Sequence, residues 1–270
     1  MFGNRLLQLF FTALTLLGLC CVLLGGCASQ ENNDLPKLVI GCDDVRPYIY
    51  TDENGKPAGM DVELAAEACR RMGYEPVFEQ IEWKRRDVLL ASGKIDCLWG
   101  CYSMDGQESL YAWVGPYMYS RQVVAVLDDS PIQHLSDLDG KTVAVRVSSD
   151  AESTFLQRTD ESIPKVRNVF CLNDPGEAVT ALCNGLVDAC AGNAAAVREQ
   201  FKNAGVQYRF LDDELSRTKL GVAFSKGSDE ELRSKLSAAL DEMLSDGTTA
   251  RILQSYGVDT SKVLGGEENE

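Results

Sequence analysis

One phrase occurs twice in the chain and constrains the fold more than any other feature. The two copies are LASGKIDCLWG at 90–100 and LCNGLVDACAG at 182–192, and both read Leu-x-x-Gly-x-x-Asp before an apolar run that ends in glycine. In each copy we interpret the Leu as the last core-facing residue of a helix, the Gly as the left-handed residue that ends it, and the Asp as the start of a buried strand. Because open α/β folds bind ligands at the carboxyl ends of parallel strands, the repeat predicts two similar sheets with a cleft between them.

The pattern around each copy predicts alternating strands and helices. In the first half we expect strands at 37–44, 74–83 and 95–100, helices at 60–73 and 84–94, and a turn at Asn54-Gly55. The pattern then restarts, with strands at 138–150, 166–174, 186–192 and 219–228 and helices at 151–159, 175–185 and 229–247. The β-α-β order indicates an α/β fold with parallel sheets and right-handed crossovers.

The amino-terminal segment has the pattern of an export signal. Arg5 precedes an apolar run at 6–24, and Gly25-Gly26-Cys27 follows it. The end of this run resembles the bacterial lipobox, which implies that residues 1–26 are a lipoprotein signal, that Cys27 is acylated, and that 27–37 form a tether. The alternative is an uncleaved membrane anchor, since a run of this length nearly spans a bilayer. Both interpretations place the remaining chain outside the cytoplasmic membrane.

Charge and cysteine usage exclude several classes of function. The formal net charge of −15 argues against a nucleic-acid partner, which requires a basic face. Seven cysteines follow Cys27, the chain has no Cys-x-x-Cys motif, and His134 is its single histidine, so we expect no metal site and no cofactor. We interpret most of these cysteines as small buried apolar residues, and a bridge between Cys42 and Cys97 or Cys101 stays open.

From residue 37 to about residue 257 the chain resembles the extracytoplasmic solute-binding proteins of bacterial ABC importers, the polar-amino-acid family (solute-binding protein family 3). The resemblance is carried by five ordered segments: PYIYTDENGKPAGMDVEL, LASGKIDCLWG, GPYMYS, LSDLDGKTVAV, and the carboxyl-terminal LGVAFSKGS with LDEMLSDGTTARILQSYG. It implies a type II periplasmic-binding fold, in which two Rossmann-like lobes are joined by a hinge and enclose an interlobe ligand cleft.

The resemblance also implies a domain organisation and a function. Lobe 1 comprises 38–124 and 220–262, lobe 2 comprises 125–219, and 263–270 form a disordered acidic tail. We expect a monomeric, lipid-anchored binding protein on the extracytoplasmic face of the membrane that passes a small polar solute to a permease and is not an enzyme. Two alternatives stay open: a ligand sensor without a permease, and an enzyme similar to cyclohexadienyl dehydratases.

The resemblance assigns candidate ligand contacts in both lobes. In lobe 1 the carboxylate of Asp43 and the aromatic rings of Tyr48 and Trp83 are candidates, with Gly100, Tyr102 and Gln107 in the loop after the first repeated phrase. In lobe 2 the candidates are Arg146, Ser148, Ser149 and Asn193, since backbone N–H groups at a helix start can hold an anion or a carbonyl oxygen.

Two of these positions depart from the family pattern. Gln107 stands where the family has an arginine for the ligand α-carboxylate, and Asn193 stands where it has an acid for the α-ammonium. We therefore expect a solute that lacks one or both charges of a free amino acid, or an amino-acid derivative or peptide. The alternative is that Arg146 and Asp43 take over the two roles.

Overall fold

The computed structural model describes residues 35–147, 149–158, 162–173 and 175–265. The predicted signal segment, Cys27, most of the tether, Ser148 and residues 266–270 lie outside the described residues. None of the helices in the described part is both long enough and apolar enough to cross a membrane.

The described strands and helices alternate as the sequence pattern indicates. The strands are β1 (Lys37–Cys42), β2 (Tyr50–Thr51), β3 (Pro57–Ala58), β4 (Glu75–Gln80), β5 (Cys97–Leu98), β6 (Ala112–Leu127), β7 (Thr142–Arg146), β8 (Asn168–Leu172), β9 (Ala189–Asn193) and β10 (Tyr208–Phe224). The α-helices are α1 (Met60–Met72), α2 (Arg86–Ala91), α3 (Asp150–Gln157), α4 (Pro175–Cys183), α5 (Ala194–Ala204), α6 (Glu230–Ser245), α7 (Thr248–Ser255) and α8 (Thr260–Val263), and short 3-10 helices lie at Trp83–Arg85 and Leu135–Leu138.

The large sheet repeats one arrangement at its two ends. Its strand order is β4-β1-β5-β10-β6-β9-β7-β8. At one end β4, β1 and β5 are parallel and β10 pairs antiparallel with β5. At the other end β8, β7 and β9 are parallel and β6 pairs antiparallel with β9. Each end is thus a parallel α/β unit that a returning strand closes.

A separate core covers each face of each unit. In the first unit α1, α6 and α7 pack on one face of the sheet and α2 packs on the other. In the second unit α4 and α5 pack on one face, and α3 with the 3-10 helix at Leu135–Leu138 packs on the other. Helices on both faces require strands that are apolar on both faces.

The structure confirms our interpretation of the repeated phrase. Leu90 and Leu182 are buried near the ends of α2 and α4. Gly93 and Gly185 both have φ of 68°, a left-handed conformation that favours glycine. The strands that follow are buried on both faces, since Cys97 and Leu98 lie in different cores.

The aspartate of each copy links its strand to the neighbouring one. The Asp96 carboxylate accepts the backbone N–H of Val39 on β1 at 2.7 Å. The Asp188 carboxylate accepts the backbone N–H of Thr142 on β7 at 2.8 Å. In both copies the backbone N–H of the aspartate donates to the carbonyl of that same neighbour, so each aspartate sets the start of two parallel strands.

The two sheets that the repeat predicts are joined by hydrogen bonds into one. β6 and β10 pair with each other from Ala112 with Phe224 to Leu127 with Tyr208, and this ladder joins both units into one hydrogen-bonded sheet. Register shifts between Phe210 and Ser216 and between Leu220 and Val222 interrupt the ladder on either side of a regular stretch. The local pattern predicted only the end of β10, because a strand that crosses between two cores has no single buried face.

A buried carboxylate holds one loop of the first unit in place. Asp61, in the first turn of α1, is 1% exposed. Its Oδ2 accepts the backbone N–H of Cys101 at 2.8 Å and the hydroxyl of Tyr117 at 3.0 Å. Its Oδ1 is buried and has no hydrogen-bond partner among the described residues. Burial raises the pKa of Asp61 to about 7, although both hydrogen bonds act in the opposite direction.

We predict that Asp96→Ala and Asp188→Ala each lower the free energy of unfolding by about 1–3 kcal/mol, since each leaves a backbone N–H without its charged acceptor. Urea unfolding at neutral pH measures this change. Asp241→Ala, on the exposed side of α6, is the matched control and should change stability by less than about 0.5 kcal/mol. An equal loss of stability in all three variants would contradict the role of Asp96 and Asp188 in linking neighbouring strands.

We predict that wild-type stability falls relative to Asp61→Asn as the pH rises from 4 to 8. The folded-state pKa is raised, so the Asp61 contribution is fully present below the unfolded pKa near 4 and is lost as the pH passes about 7. Over this pH range the free energy of unfolding of the wild type should fall by a few kcal/mol relative to that of Asp61→Asn. This is on the order of 1 kcal/mol for each unit by which folding raises the pKa. Urea unfolding at several pH values measures it, and a pH-independent difference would refute the assignment.

Candidate functional site

A cavity of about 520 Å³ lies against the middle of the large sheet. Its lining comes from the first unit, from the second unit and from β6 and β10, which connect them. The volume falls within the range typical of small-molecule sites. A site that both units line can hold a solute against two walls at once.

The loop after β1 supplies one wall. Asp44, Arg46 and Tyr48 line the cavity from this loop, which is closed by backbone hydrogen bonds between Val45 and Ile49. The Arg46 guanidinium lies 3.9 Å from the ring centre of Tyr50 and donates to a backbone carbonyl of β2. The aromatic ring therefore sets the direction of an exposed cation at the rim.

The loop after β5 adds Cys101 and Ser103 to this wall. Gly100 has φ of 141°, and a Cβ at this position would approach Ile49 to 2.8 Å. Cys101 has φ of 53°, which is uncommon for a residue with a side chain. The Asp61 carboxylate holds this conformation through the backbone N–H of Cys101.

The two long strands supply an uncharged polar floor. Ser120 and Gln122 on β6 and Thr218 on β10 line the cavity. Ser120 is 3% exposed and Gln122 is 6% exposed, so both are polar side chains within a buried strand. Thr218 pairs with Ser120 in the ladder, which places their backbones side by side.

The second unit supplies the opposite wall. Arg146, Ser149, Asp150 and Asn193 line the cavity from the ends of β7 and β9 and the start of α3. The hydroxyl of Ser149 accepts the backbone N–H of Glu152 at 3.2 Å and caps α3. The charged side chains that line the cavity are exposed, and they are two carboxylates and two guanidinium groups: Asp44, Asp150, Arg46 and Arg146.

Asn193 connects the two walls. Its Oδ1 accepts the backbone N–H groups of Ala195 and Ala196 and caps α5. Its Nδ2 donates to the Tyr48 hydroxyl of the first unit at 3.0 Å and to the Ser120 hydroxyl at 2.7 Å. One amide therefore holds a helix start, a floor residue and the facing wall together.

Three ionisable groups that line the cavity, one tyrosine hydroxyl and two cysteine thiols, are neutral near pH 7. Burial raises the pKa values of the Tyr48 hydroxyl and the Cys101 thiol well above their ordinary values. Burial also raises the pKa of the Cys190 thiol, on the opposite wall, to about 12. Because only the thiolate is an effective nucleophile, the two thiols offer polarisable surface rather than reactivity.

The structure brings four of the ten predicted ligand contacts to the cavity, namely Tyr48, Arg146, Ser149 and Asn193. Gly100 is adjacent to Cys101, which lines it. Asp43 lies beside a separate cavity of about 40 Å³ behind β1, and its neighbour Asp44 lines the main cavity instead. Ser148 lies outside the described residues, and all ten assignments stay predictions.

The other three predicted contacts lie together in an aromatic cluster. Trp83 lies 5.0 Å from Tyr102, ring centre to ring centre, and Trp113 lies 5.3 Å from Tyr102. The Tyr102 hydroxyl donates to Gln107 Oε1 at 2.8 Å. In this structure these side chains pack against α2 and are not part of the cavity lining.

Several cavity residues have no counterpart among the predicted contacts: Asp44, Arg46, Cys101, Ser103, Ser120, Gln122, Asp150, Cys190 and Thr218. The sequence carried one signal for two of them. They belong to the polar run Ser120-Arg121-Gln122, which interrupts an otherwise apolar strand. A polar side chain within a buried strand indicates a contact that the strand itself does not supply.

Neither a disulfide nor a metal site forms among the described residues. The seven cysteines after Cys27 are free thiols, and Ile40 rather than Cys42 lies opposite Cys97 in the ladder. The described residues contain no group of three or more His, Cys, Asp or Glu side chains that could hold a metal ion.

Comparison with known proteins places this fold and cavity in a family. The model of the bacterial extracellular solute-binding proteins, family 3, matches residues 38–259. The probable amino-acid-binding protein YxeM of Bacillus subtilis is 27% identical, over 78% of this chain and 79% of that protein. The L-cystine-binding protein TcyA of the same organism is 28% identical, over 80% of this chain and 79% of that protein.

A solved structure agrees with these relatives. An ancestral arginine-binding protein bound to arginine has a TM-score of 0.62 and 27% identity, and the match covers 83% of this chain and 99% of that one. All three proteins are named for binding a solute, in agreement with the expectation that the chain is not an enzyme. The chain therefore belongs to the bacterial extracellular solute-binding proteins of family 3 and has the fold of the type II periplasmic binding proteins.

Proposed function

We propose that the chain is the lipid-anchored substrate-binding protein of an amino-acid ABC importer and that its solute is a zwitterionic amino acid held in the 520 Å³ cavity. The observation that carries this proposal is the distribution of charge. An uncharged polar floor lies between walls that each carry one carboxylate and one guanidinium group at the rim. A solute with one positive and one negative group finds a partner for each, in either orientation.

This charge pattern favours one of the two ligand hypotheses. Gln107 lies in the aromatic cluster and Asn193 has its hydrogen bonds inside the protein, so neither amide has to match a charge on the solute. Arg146 lines the cavity, as the alternative hypothesis required, and Asp44 lines it in place of Asp43. The relatives named for amino acids, L-cystine and arginine agree with a zwitterion.

We propose two lobes, 38–124 with 220–262 and 125–219, that close on the solute about β6 and β10. The bulged ladder between these strands supports this proposal, because interrupted pairing allows two packed units to rotate as bodies. The closed form would then present both lobes to a permease.

We predict that an amino acid stabilises the lipid-anchored chain, purified in detergent, against heat. A panel of L-cystine, L-arginine, L-glutamine and L-glutamate should contain a ligand that adds about 2.7 kcal/mol of stability at 100 times its dissociation constant. The N-acetyl amide of that ligand, which lacks the charges of the α-ammonium and α-carboxylate groups, is the matched control and should bind at least about tenfold more weakly. Stabilisation by the neutral derivatives alone would favour the alternative solute class, and no stabilisation by any amino acid would count against the proposal.

We predict that Cys27→Ser abolishes acylation of the chain. The wild-type chain should incorporate labelled palmitate and sediment with membranes, because acylation of Cys27 is its anchor. Cys20→Ser, within the predicted signal, is the control and should behave like wild type. If the wild-type chain incorporates no palmitate, or the Cys27→Ser chain incorporates as much, the lipoprotein assignment fails and the uncleaved anchor is the better interpretation.

A further inference from the structure

Two amide side chains lie side by side at the floor of the cavity. Gln122 on β6 and Asn193 at the end of β9 are direct partners in the antiparallel ladder between these strands. Both side chains line the cavity. A primary amide offers two N–H donors and an oxygen with two acceptor positions, so their hydrogen bonds can be compared directly.

The amide of Asn193 is fully used within the protein. Its oxygen accepts two backbone N–H groups at 3.0 Å and 3.1 Å. Its nitrogen donates to the hydroxyls of Tyr48 and Ser120. A solute that bound to Asn193 would have to displace one of these four hydrogen bonds.

The amide of Gln122 differs, because its oxygen makes no hydrogen bond with the described residues. Its side chain is 6% exposed, and its Oε1 is buried without a hydrogen-bond partner among the described residues. Buried carbonyl oxygens in native proteins nearly always have a partner, and one that lacks it points to a group supplied from elsewhere. Gln122 lines the cavity, so the solute is the natural source of that group.

The surroundings of Gln122 determine what that group is. The polar side chains that share the floor, those of Ser120 and Thr218, are hydroxyls and carry no charge. Arg121, the nearest cation in sequence, pairs its guanidinium with the carboxylate of Glu214. A carbonyl oxygen among neutral groups accepts from an N–H or an O–H donor, and the ammonium group of a zwitterionic amino acid supplies N–H donors.

We propose that Gln122 is a specificity-determining residue of the binding site and that its Oε1 accepts a hydrogen bond from an N–H group at the deepest end of the bound amino acid. The terminal torsion of a glutamine side chain has a broad energy minimum, so the amide can turn toward the donor when the solute enters. This inference rests on the proposed function, since it assigns a residue to the same cavity.

Three variants of the full lipid-anchored chain test the proposal. Gln122→Met keeps the size of the side chain and removes the acceptor, whereas Gln122→Glu keeps an acceptor oxygen at the same place. Gln254→Met is the control, because Gln254 is exposed on α7 and its amide donates to Thr260. Calorimetry gives the dissociation constants for L-cystine, L-arginine, L-glutamine and L-glutamate, and thermal unfolding without ligand gives the stability of each variant.

We expect Gln122→Met to weaken the tightest of these amino acids at least about tenfold and to leave the unfolding temperature of the unliganded protein unchanged or higher, since a buried carbonyl without a partner is removed. Gln122→Glu should bind a cationic amino acid at least as tightly as wild type, and Gln254→Met should match wild type throughout. Binding by Gln122→Met within twofold of wild type would overturn the inference. A drop in unliganded stability that accounts for the lost affinity would also overturn it, because Gln122 would then be structural.

The outcome for the wild-type chain separates this inference from the proposed function. If the wild-type chain binds none of the four amino acids, the proposed function fails. If it binds one of them and Gln122→Met binds equally well, the function stands and only the role of Gln122 fails.

Discussion

The antiparallel pairing of β6 with β10 is the interaction on which the rest of the structure depends. In the described sheet each parallel trio of strands is hydrogen-bonded to the other through these two strands, and the cavity lies against the regular stretch of their ladder, between its register shifts. Because both strands pass from one pair of cores to the other, their middle residues face a cavity instead of packed side chains. This explains how the polar residues Ser120, Gln122 and Thr218 occur in the middle of these strands.

Polar groups in such a place are stable only if they are paired, since an unpaired buried polar atom costs about 1–3 kcal/mol. The molecule meets this requirement at Asn193, where one amide serves α5, Ser120 and the Tyr48 hydroxyl together. This requirement is not met at Gln122, whose Oε1 has no partner among the described residues. The contrast between two neighbouring amides separates a side chain that holds the walls of the cavity from one that is available to a solute.

Asp61 is another buried polar group whose hydrogen bonds shape a wall of the cavity. Its carboxylate is buried at the start of α1, and it holds the backbone of Cys101 in the left-handed conformation that brings the loop after β5 to the cavity. The raised pKa of this group records the free energy of keeping a carboxylate away from water. The cavity wall therefore depends on an interaction whose strength varies with pH near neutrality.

Local sequence patterns were sufficient to predict the helices and strands of the two repeated units. The helix ends at Gly93 and Gly185 depend on local backbone conformation, so the pattern alone predicted them. The pattern also predicted the strand starts at Asp96 and Asp188, but not their bonds to Val39 and Thr142, which lie far away in the chain. The resemblance to a family, carried by ordered motifs, predicted the fold and the class of function.

The composition of the cavity was decided by tertiary structure. Three predicted contacts do not line the cavity, because they contact each other instead. The rings of Trp83 and Tyr102 are in contact, and the Tyr102 hydroxyl donates to Gln107. Asp44 rather than Asp43 lines the cavity, a difference of one residue in a loop that no periodic pattern describes. The sequence by itself determined the two α/β units, since these depend on local periodicity, and its ordered motifs carried the resemblance to the family. Only the tertiary structure decided that the amide of Asn193 is fully hydrogen-bonded and that Oε1 of Gln122 has no partner among the described residues. The reason is that this difference depends on hydrogen bonds between residues more than a hundred positions apart, such as Asn193 and Tyr48.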